Sequence, residues 1–454
     1  MITIKDNKPI VARNYVKANL LNDKGELDKT LFQNFITSKP FAEGIASQIK
    51  DCYSFCLDQD YYYFGTNQSS DFRPTNSKKD ISLVNYPSYI TSIFTSFLTS
   101  KPVEFQTKKD NDFSKFKVSY QDILNGMSKY GKTYVITQAS GDKKFNRVIE
   151  PWAVFDIIDS GLDAQLVARC FIVVGTDTYT VHVFTTTSHI TLTFKDDSVP
   201  AIAQTEIHNF QGKIPIVEFI NNADQYDDYS LVRNLVNFYN VVQSGRLNDR
   251  QELLDALLLA YGITLTADQK TDLKKSRVLA GIPKDSKLEY LIKTVDEGQV
   301  EQVLKSVKQD IHRIAKVPDF SDENFYSTTS GIAMKYRLFL FNQKANEKKT
   351  NLSNGLLELL ALHYSEAIVK DINVIVSSTL PSNDLEISQM ITNLDGKVDT
   401  PTLISQLSFV NDGNEIFELA KKELEIGSDS NYNDLTTKDK DGNLLDKEGK
   451  PIVK

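Results

Sequence analysis

One stretch of the chain matches a nucleotide-binding pattern at every position. Gly126 and Gly131 are separated by four residues, and Lys132 and Thr133 follow directly. In a P-loop, glycine backbone amides surround a phosphate, the lysine ammonium pairs with it, and the threonine hydroxyl holds magnesium. The stretch therefore raises the hypothesis of an ATP-binding motor component.

The elements around this stretch have the reverse of the order that a P-loop needs. Phosphate binds at the N-terminus of a helix that follows a strand, where free amides and the helix dipole favour an anion. Here residues 120–127 have helical spacing before the loop, and residues 134–137 after it are β-branched or aromatic, which favours a strand. We therefore expect a tight helix-to-strand turn and keep nucleotide binding as the alternative.

The other residues that could do chemistry form no recognised motif. Cys52, Cys56 and Cys170 lack the C-x-x-C spacing and the second pair that a zinc or redox centre needs, so we predict buried, reduced thiols. The histidines belong to no H-E-x-x-H motif, and Asp227 and Asp228 are predicted to lie in a solvated turn. The sequence thus predicts a protein that is not an enzyme, with no catalytic residue, no cofactor and no metal.

The composition is that of a folded protein with a sizeable core. Of 454 residues, 41% are hydrophobic and 25% are charged. The longest apolar runs fall far short of the ~20 residues of a membrane span, and the N-terminus lacks the apolar core of a secretory signal, so we predict no membrane association. The formal net charge of −8 disfavours tight DNA binding, but it allows the weak phosphate contacts that sliding requires.

The first half of the chain predicts helices followed by an antiparallel sheet. Residues 1–60 are predicted to be mostly helical, and Tyr61 to Gly65 has the aromatic character of a short strand. Between residues 147 and 220, apolar residues alternate with Thr and His between turn signals. That alternation predicts a meander with one solvated face, which carries His182 and His189.

The second half is predicted to be mainly helical. Residues 253–261 (LLDALLLAY) are apolar on nearly every side of a helix, which requires cover in a core or between subunits. A mixed insert at 263–295 separates this helix from another at 296–316. A long helix is predicted from Gly331 to about Val369, roughly 55 Å at 1.5 Å per residue. The polar, charged residues 427–454 are predicted to be disordered.

Several segments resemble the portal proteins of siphophages that infect Gram-positive bacteria. The strongest is Val317 to Phe325 followed by Ser330 to Arg337, which is similar to the family's vPDfsDenF and SGvAlkyk run and departs from it at Tyr326 to Thr329. Further similar segments keep the family's order: Asn85 to Val103, Gly212 to Asn222, Tyr239 to Asp249, and Thr402 to Glu418. No single motif is unique to the family, but their order along residues 50–426 is specific.

The resemblance implies a multi-region α+β portal fold that assembles as a ring, a dodecamer, at one vertex of a capsid. It includes a helical stem, a long wing helix, a β meander in the wing, a small mixed clip and a helical crown. The implied regions are wing 1–240, stem helix 241–262, clip 263–295, stem helix 296–317, tunnel loop 318–330, wing 331–383, crown 384–426 and tail 427–454.

The implied function is a channel through which double-stranded DNA is packaged and later ejected. The implied partners are other copies of the chain, DNA without sequence preference, terminase, major capsid and scaffolding proteins, and head-completion or adaptor proteins. The implied location is the portal vertex of the virion, after assembly in the bacterial cytoplasm. A capsid or adaptor protein without a channel is a further alternative.

Three groups of residues are the candidate sites of such a channel. The tunnel loop carries Pro318, Asp319, Phe320, Ser321, Asp322, Glu323, Asn324 and Phe325. Its acidic groups would repel phosphate and keep the path slippery, or they would satisfy backbone donors at a turn. One side of the 296–316 helix carries Lys305, Lys308, His312 and Lys316, either as a DNA-channel lining or as a solvated face. The clip carries basic residues that could contact terminase or an adaptor: Lys274, Lys275, Arg277, Lys284 and Lys287.

Overall fold

A computed structural model of the chain describes most of its residues. The described ranges are 15–22, 25–64, 83–107, 112–141, 143–161, 164–176, 178–195, 198–254, 257–261, 287–291, 297–321, 336–378, 384–394, 396–405, 407, 410 and 413–429. They fall into two compact units, the first within residues 15–321 and 338–378 and the second within the remainder. Within these ranges, no helix is long and apolar enough to cross a membrane.

Helices and strands are mixed along the chain. The helices are α1 (Lys29–Ile36), α2 (Lys39–Phe64), α3 (Tyr86–Leu98), α4 (Tyr120–Tyr130), α5 (Arg233–Leu254), α6 (Glu297–Ala315), α7 (Phe339–His363), α8 (Glu366–Val369), α9 (Asp384–Leu394), α10 (Thr400–Ile404) and α11 (Gly413–Asp429). The strands are β1 (Tyr15–Ala18), β2 (Glu104–Gln106), β3 (Lys132–Ser140), β4 (Lys143–Ile149), β5 (Val154–Asp159), β6 (Leu166–Val174), β7 (Tyr179–Phe184), β8 (Ser188–Phe194), β9 (Ala201–Ile207), β10 (Ile216–Ile220), β11 (Leu257–Tyr261), β12 (Lys287–Leu291) and β13 (Asn373–Ile375).

A six-stranded sheet of order β1-β5-β6-β7-β8-β9 dominates the first unit. Only β1 pairs in parallel, and β5 to β9 form the predicted antiparallel meander. Alternate residues such as Val181 and Leu192 are buried in one core with Phe41 at the start of α2. On the other face, His182 and His189 are half-buried, and His182 Nδ1 lies 3.0 Å from His189 Nε2. The alternation of the sequence therefore assigned the two faces correctly.

A smaller sheet of order β10-β3-β4 packs against both α4 and α7. α4 leads directly into β3, and α7 packs against β10. A side chain at Gly355 of α7 would place its Cβ 2.5 Å from the ring of Phe219 in β10, so glycine lets this helix approach the strand. The predicted burial of the cysteines is confirmed, since Cys52, Cys56 and Cys170 are buried free thiols.

The predicted aromatic strand at Tyr61 to Gly65 is wrong up to Phe64, where α2 ends; Gly65 lies outside the described residues. The aromatic side chains pack the end of α2 against other parts of the fold instead. Tyr62 is buried, its hydroxyl donates to the carbonyl of Arg233 at 3.1 Å, and its ring lies 5.7 Å from that of Tyr229. Tertiary contacts of one helix face thus outweigh the β preference of a short aromatic run.

The predicted all-round apolar helix at 253–261 is also wrong. α5 ends at Leu254, and Leu257–Tyr261 forms strand β11, antiparallel to β12. β12 lies within the mixed insert that was predicted at 263–295. A short apolar run fits a strand as well as a helix, and cross-strand partners from a distant segment decide between them.

The long helix and the short C-terminal helices are confirmed in outline. α7 spans Phe339–His363 and stops before extended Tyr364, so the helix is shorter than predicted. Gly331, where the predicted helix begins, lies outside the described residues. In the second unit, α9, α10 and α11 are the predicted short helices, and Asp399 caps α10 by accepting from the amide of Thr402 at 3.1 Å. The tail beyond residue 429 lies outside the described residues.

Candidate functional site: the joint after helix α6

The stretch that resembles a P-loop forms a buried turn. α4 ends at Tyr130 and is capped by Gly131, whose φ of 86° is left-handed. β3 begins at the next residue, so the predicted helix-to-strand order is confirmed. A Cβ at Gly131 would lie 2.0 Å from the carbonyl oxygen of Gln225, and one at Gly126 would lie 2.7 Å from Oγ1 of Thr133. Both glycines therefore allow close packing.

The side chains of this stretch are already occupied within the fold. Lys132 Nζ lies 2.9 Å from Oε1 of Glu218, and the hydroxyl of Thr133 donates to the carbonyl of Ile149 at 3.0 Å. Burial opposes ionisation of Glu218, but the charges of Lys132 and Arg169 outweigh it and lower the pKa of that carboxyl. Because the carbonyl end of α4 faces the turn, its dipole has the wrong sign for phosphate. The geometry thus argues against a nucleotide site here.

The candidate functional site is the segment that leaves α6, residues 316–321, which we call the joint. α6 ends in a Schellman motif. The backbone amide of Lys316 donates to the carbonyl oxygen of Arg313 at 3.3 Å, and the amide of Val317 donates to the carbonyl oxygen of His312 at 3.0 Å. Lys316 has a φ of 58°, where glycine is usual. Val317 is buried and Pro318 follows, so the helix cannot continue.

The joint folds back onto the last turns of α6 through Asp319. Its Oδ2 lies 2.9 Å from Nζ of Lys308, and its Oδ1 accepts from the amide of Ser321 at 3.0 Å and from the Ser321 hydroxyl at 2.7 Å. Lys308 also donates to that hydroxyl. Burial raises the pKa of Asp319, but the hydrogen bonds from Lys308 and Ser321 outweigh it and lower the pKa overall. An ionised carboxylate therefore fastens the joint to α6.

His312 is the one residue of the predicted channel-facing stripe that is buried in this chain. It is buried, with its ring 5.9 Å from that of Tyr86 and 5.7 Å from that of Tyr89, both on α3. Its Nδ1 lies 3.2 Å from the carbonyl oxygen of Val317, and burial lowers the pKa of the imidazole. Within this chain His312 is therefore not offered to solvent, because α3 covers the last turns of α6.

The other residues of the stripe and of the clip are placed as follows. Lys305 and Lys316 are exposed, whereas Lys308 is half-buried against Asp319. Phe320 and Ser321 are exposed at the end of the joint. Lys287 begins β12. The remaining predicted site residues lie outside the described ranges: Asp322, Glu323, Asn324, Phe325, Lys274, Lys275, Arg277 and Lys284.

A buried ion cluster beside the joint escaped the sequence reasoning. Nζ of Lys348 lies 2.7 Å from Oδ2 of Asp228 and 2.9 Å from Oγ of Ser128, and it also donates to Oδ1 of Asn221. Lys344 lies one helical turn earlier, 3.2 Å from Oδ1 of Asp228, and donates to the carbonyl of Ala315 at 3.4 Å. Lys344 thus connects the C-terminus of α6 to the interior of the first unit.

The sequence contained one signal for this cluster. Lys348 occupies a position in the buried stripe of α7 between Ala345 and Leu352, where an apolar residue is expected. A lysine at such a position predicts a buried acidic partner. The prediction of a solvated turn at Asp227 and Asp228 was wrong, because both carboxylates are buried.

A family model described as "Phage portal protein, SPP1 Gp6-like" matches residues 56–428 of the chain. The match takes in α6, the joint and α7. The chain belongs to this phage portal family. The resemblance seen along the sequence is therefore confirmed at the level of the family, and the mixture of helices and sheets agrees with the α+β fold expected from it.

Individual relatives share about a quarter of the residues over the aligned part. The portal protein of Clostridium phage phiCD119 is 24% identical over 241 residues, which are 50% of this chain and 53% of the relative. The portal protein of Bacillus phage SPP1 is 23% identical over 253 residues, 52% of this chain and 48% of the relative. The chain thus spans about half the length of the curated relatives it matches.

Similar chains also occur in solved structures of gene transfer agent (GTA) particles. One, the neck of a native GTA particle computed with C12 symmetry, has a TM-score of 0.46 and 11% identity, and the alignment covers 78% of this chain and 93% of that one. Another, the neck of an empty GTA particle computed with C6 symmetry, has a TM-score of 0.45 and 9% identity, with the same shares covered.

Proposed function

We propose that the chain assembles into a ring-shaped portal at one vertex of a phage capsid, and that double-stranded DNA passes through the ring during packaging and ejection. The observation that carries this proposal is the family match over residues 56–428. The resemblance to the portal family implies that the ring contains twelve copies of the chain. It serves as a conduit and docking platform and catalyses no reaction of its own.

Exposed apolar side chains on α5 and α6, the helices that overlap the two proposed stem segments, support assembly. On α6, Val303 is 43% exposed and Ile314 is 39% exposed, and at 100° per residue the two lie about 20° apart on the helix. On α5, Phe238 and Val241 are half exposed and three positions apart. Each subunit of a closed ring buries two different surfaces against its neighbours. Apolar positions left open on both helices of one chain fit such contacts.

The charges support weak DNA contact that has no sequence preference. The chain carries a formal net charge of −8, which opposes tight binding to phosphate. Lys305 and Lys316 are exposed and available for transient phosphate contacts, while Lys308 is engaged by Asp319. A channel that releases DNA as readily as it admits it requires this balance.

The docking partners follow from the family resemblance. Terminase would meet the clip, residues 263–295, during packaging, and head-completion or adaptor proteins would replace it afterwards. Capsid and scaffolding proteins would surround the wing. The basic side chains at Lys274, Lys275, Arg277, Lys284 and Lys287 are the proposed docking contacts of the clip.

Electron microscopy of the purified full chain tests the proposal. We expect closed rings with a central hole; a monomer, or an assembly without a hole, would favour the capsid or adaptor alternative. The same preparation tests the motor alternative through ATP binding and hydrolysis. We expect neither activity, and turnover that disappears in Lys132→Ala would overturn the proposal.

A further inference from the structure

Strand β9 is open to solvent along its whole length. It is the last strand of the six-stranded sheet and pairs with β8 on one side. All seven of its residues, Ala201–Ile207, are exposed. The backbone groups of its outer edge are therefore available to a further strand.

The apolar face of β9 also lacks cover from the part of the chain that the structure describes. In the register with β8, Leu192 lies opposite Ile202 and Ser188 lies opposite Ile207. Leu192 is completely buried, whereas Ile202 is 41% exposed and Ile207 is 91% exposed. The core of the sheet thus stops under β8, and β9 extends beyond it.

β9 has a bulge at Ala203, which puts Ile202 and Ile207 on the same face, but its composition gives it no protection as an edge strand. Such strands commonly contain lysine or proline, or are kept very short, which prevents pairing with another chain. β9 contains neither residue type, and its one charged side chain is Glu206. An open strand with two uncovered isoleucines is typical of a surface that a second strand occupies in the assembly.

We propose that β9 binds the N-terminal segment of a neighbouring copy, residues 1–14, as an added β-strand. The inference rests on the proposed ring, because the neighbour must be held beside the sheet. The segment precedes β1, which lies at the opposite edge of the same sheet. A head-to-tail ring joins two different surfaces of each subunit, and we assign the β1 and β9 edges of this sheet to those two surfaces. The N-terminal segment of one copy thereby meets β9 of its neighbour.

The sequence of the segment has the chemistry that β9 needs. Ile2 and Ile4 alternate with Thr3 and Lys5, so an extended backbone places two isoleucines on one face and a cation on the other. The isoleucines match the uncovered face of Ile202 and Ile207, and Lys5 matches Glu206 on the opposite face.

Charge and length also fit. Residues 1–14 contain Lys5, Lys8 and Arg13 against one acid, Asp6, a formal side-chain charge of 3 − 1 = +2. Fourteen extended residues span about 46 Å at ~3.3 Å each, which is enough to line the whole of β9 and still bridge the gap between two subunits.

Cysteine cross-linking in purified full-length rings tests this pairing. The natural cysteines are buried, so oxidation reports on introduced ones. We expect the pair Ile4→Cys with Ile202→Cys, or its shifted counterpart Ile4→Cys with Ile207→Cys, to give covalent multimers on a non-reducing gel. The matched control is Ile4→Cys with Val174→Cys, an exposed position on β6, which should cross-link about tenfold less because the two thiols are not held together.

Each outcome has a distinct meaning. Rings that cross-link no better than the control would overturn the inference and leave the proposed function standing. A cross-link within one chain, seen as a monomer band of altered mobility, would also overturn it, since the segment would then cover its own β9. Absence of rings from the unsubstituted protein would instead count against the proposed function.

Hydrogen exchange of the β9 amides gives an independent readout. Full-length rings carrying Ile2→Asp and Ile4→Asp should exchange these amides about tenfold faster than rings carrying Ile2→Val and Ile4→Val, because the apolar contact that holds the added strand is lost. Equal exchange in the two variants would contradict the pairing.

Discussion

Nζ of Lys348 lies 2.7 Å from Oδ2 of Asp228, and both side chains are buried. Burial alone would favour the neutral acid. The charges of Lys344 and Lys348, together with the amide of Asn221, outweigh that cost and hold the pKa of Asp228 well below its usual range. The carboxylate is therefore ionised in the folded protein and ties α7 to the segment that precedes α5.

Replacing Asp228 with asparagine should destabilise the chain by about 3–5 kcal/mol, because it leaves two lysines beside a neutral amide in a buried site. The measurement is urea-induced unfolding at pH 7. The double variant Asp228→Asn with Lys348→Met removes one of the stranded cations and should recover part of the loss. If the double variant is the less stable of the two, Asp228 does not act through Lys348.

The end of α6 leads to a prediction in the opposite direction. Lys316 holds the left-handed position of the Schellman motif with a φ of 58°, a conformation that costs a residue with a Cβ roughly 1–2 kcal/mol. Lys316→Gly should therefore raise the free energy of unfolding by about 1 kcal/mol. Lys316→Ala retains the Cβ and should give no comparable gain. Equal stabilities of the two variants, compared at one protein concentration, would show that the backbone is not strained there.

Local sequence patterns predicted those parts of the fold that local forces decide. The turn at Gly131 followed from helical spacing before it and β-branched residues after it, and the meander followed from alternation. Helical spacing alone does not separate the buried from the exposed apolar residues of α6, because Leu304 and Ile311 are buried while Val303 and Ile314 are exposed.

The errors occurred where a distant segment decides. Nothing near Tyr62 in the sequence indicates its hydrogen bond to Arg233, and nothing near Leu258 indicates its partner Tyr290. Asp228 has the sequence context of a solvated turn, and its burial depends on Lys348 far along the chain. A single sequence does not encode such pairings locally, although a lysine within an apolar stripe indicates that one exists.

The exposed cations of the α6 region lead to a prediction about DNA movement. If Lys305 and Lys316 line the channel, Lys305→Glu with Lys316→Glu should reduce DNA packaging severalfold while leaving rings intact, because glutamate repels phosphate. Lys308 is left unchanged, since it fastens Asp319. Packaging reactions with assembled particles, together with microscopy of the rings, provide the measurement.

The matched control for this pair is Lys305→Gln with Lys316→Gln. It removes the charges without reversing them and keeps a Cβ at the left-handed position. Packaging should fall less than in the glutamate variant. Equal packaging by the wild type and the glutamate variant would place both lysines away from the DNA path.

Burial of His363 predicts a loss of stability in mild acid. Burial, reinforced by Lys144, lowers the pKa of this imidazole to about 4, against an ordinary value near 6.5. The unfolded chain therefore takes up the proton first as the pH falls. The contribution of His363 to the free energy of unfolding is fully present above about pH 6.5, and it is lost progressively as the pH falls from there to about 4. Since His363 is only half-buried, solvent screening limits its share to on the order of 1 kcal/mol.

Urea midpoints at pH 7 and pH 5 measure this effect. His363 lies 2.9 Å from Oδ1 of Asn146 through its Nε2, and glutamine can donate a similar hydrogen bond without titrating. His363→Gln should therefore lose less stability than the wild type between the two pH values. Some loss should persist, because burial also lowers the pKa values of His182, His189 and His312. An identical decline in both proteins would show that His363 does not contribute to the acid sensitivity.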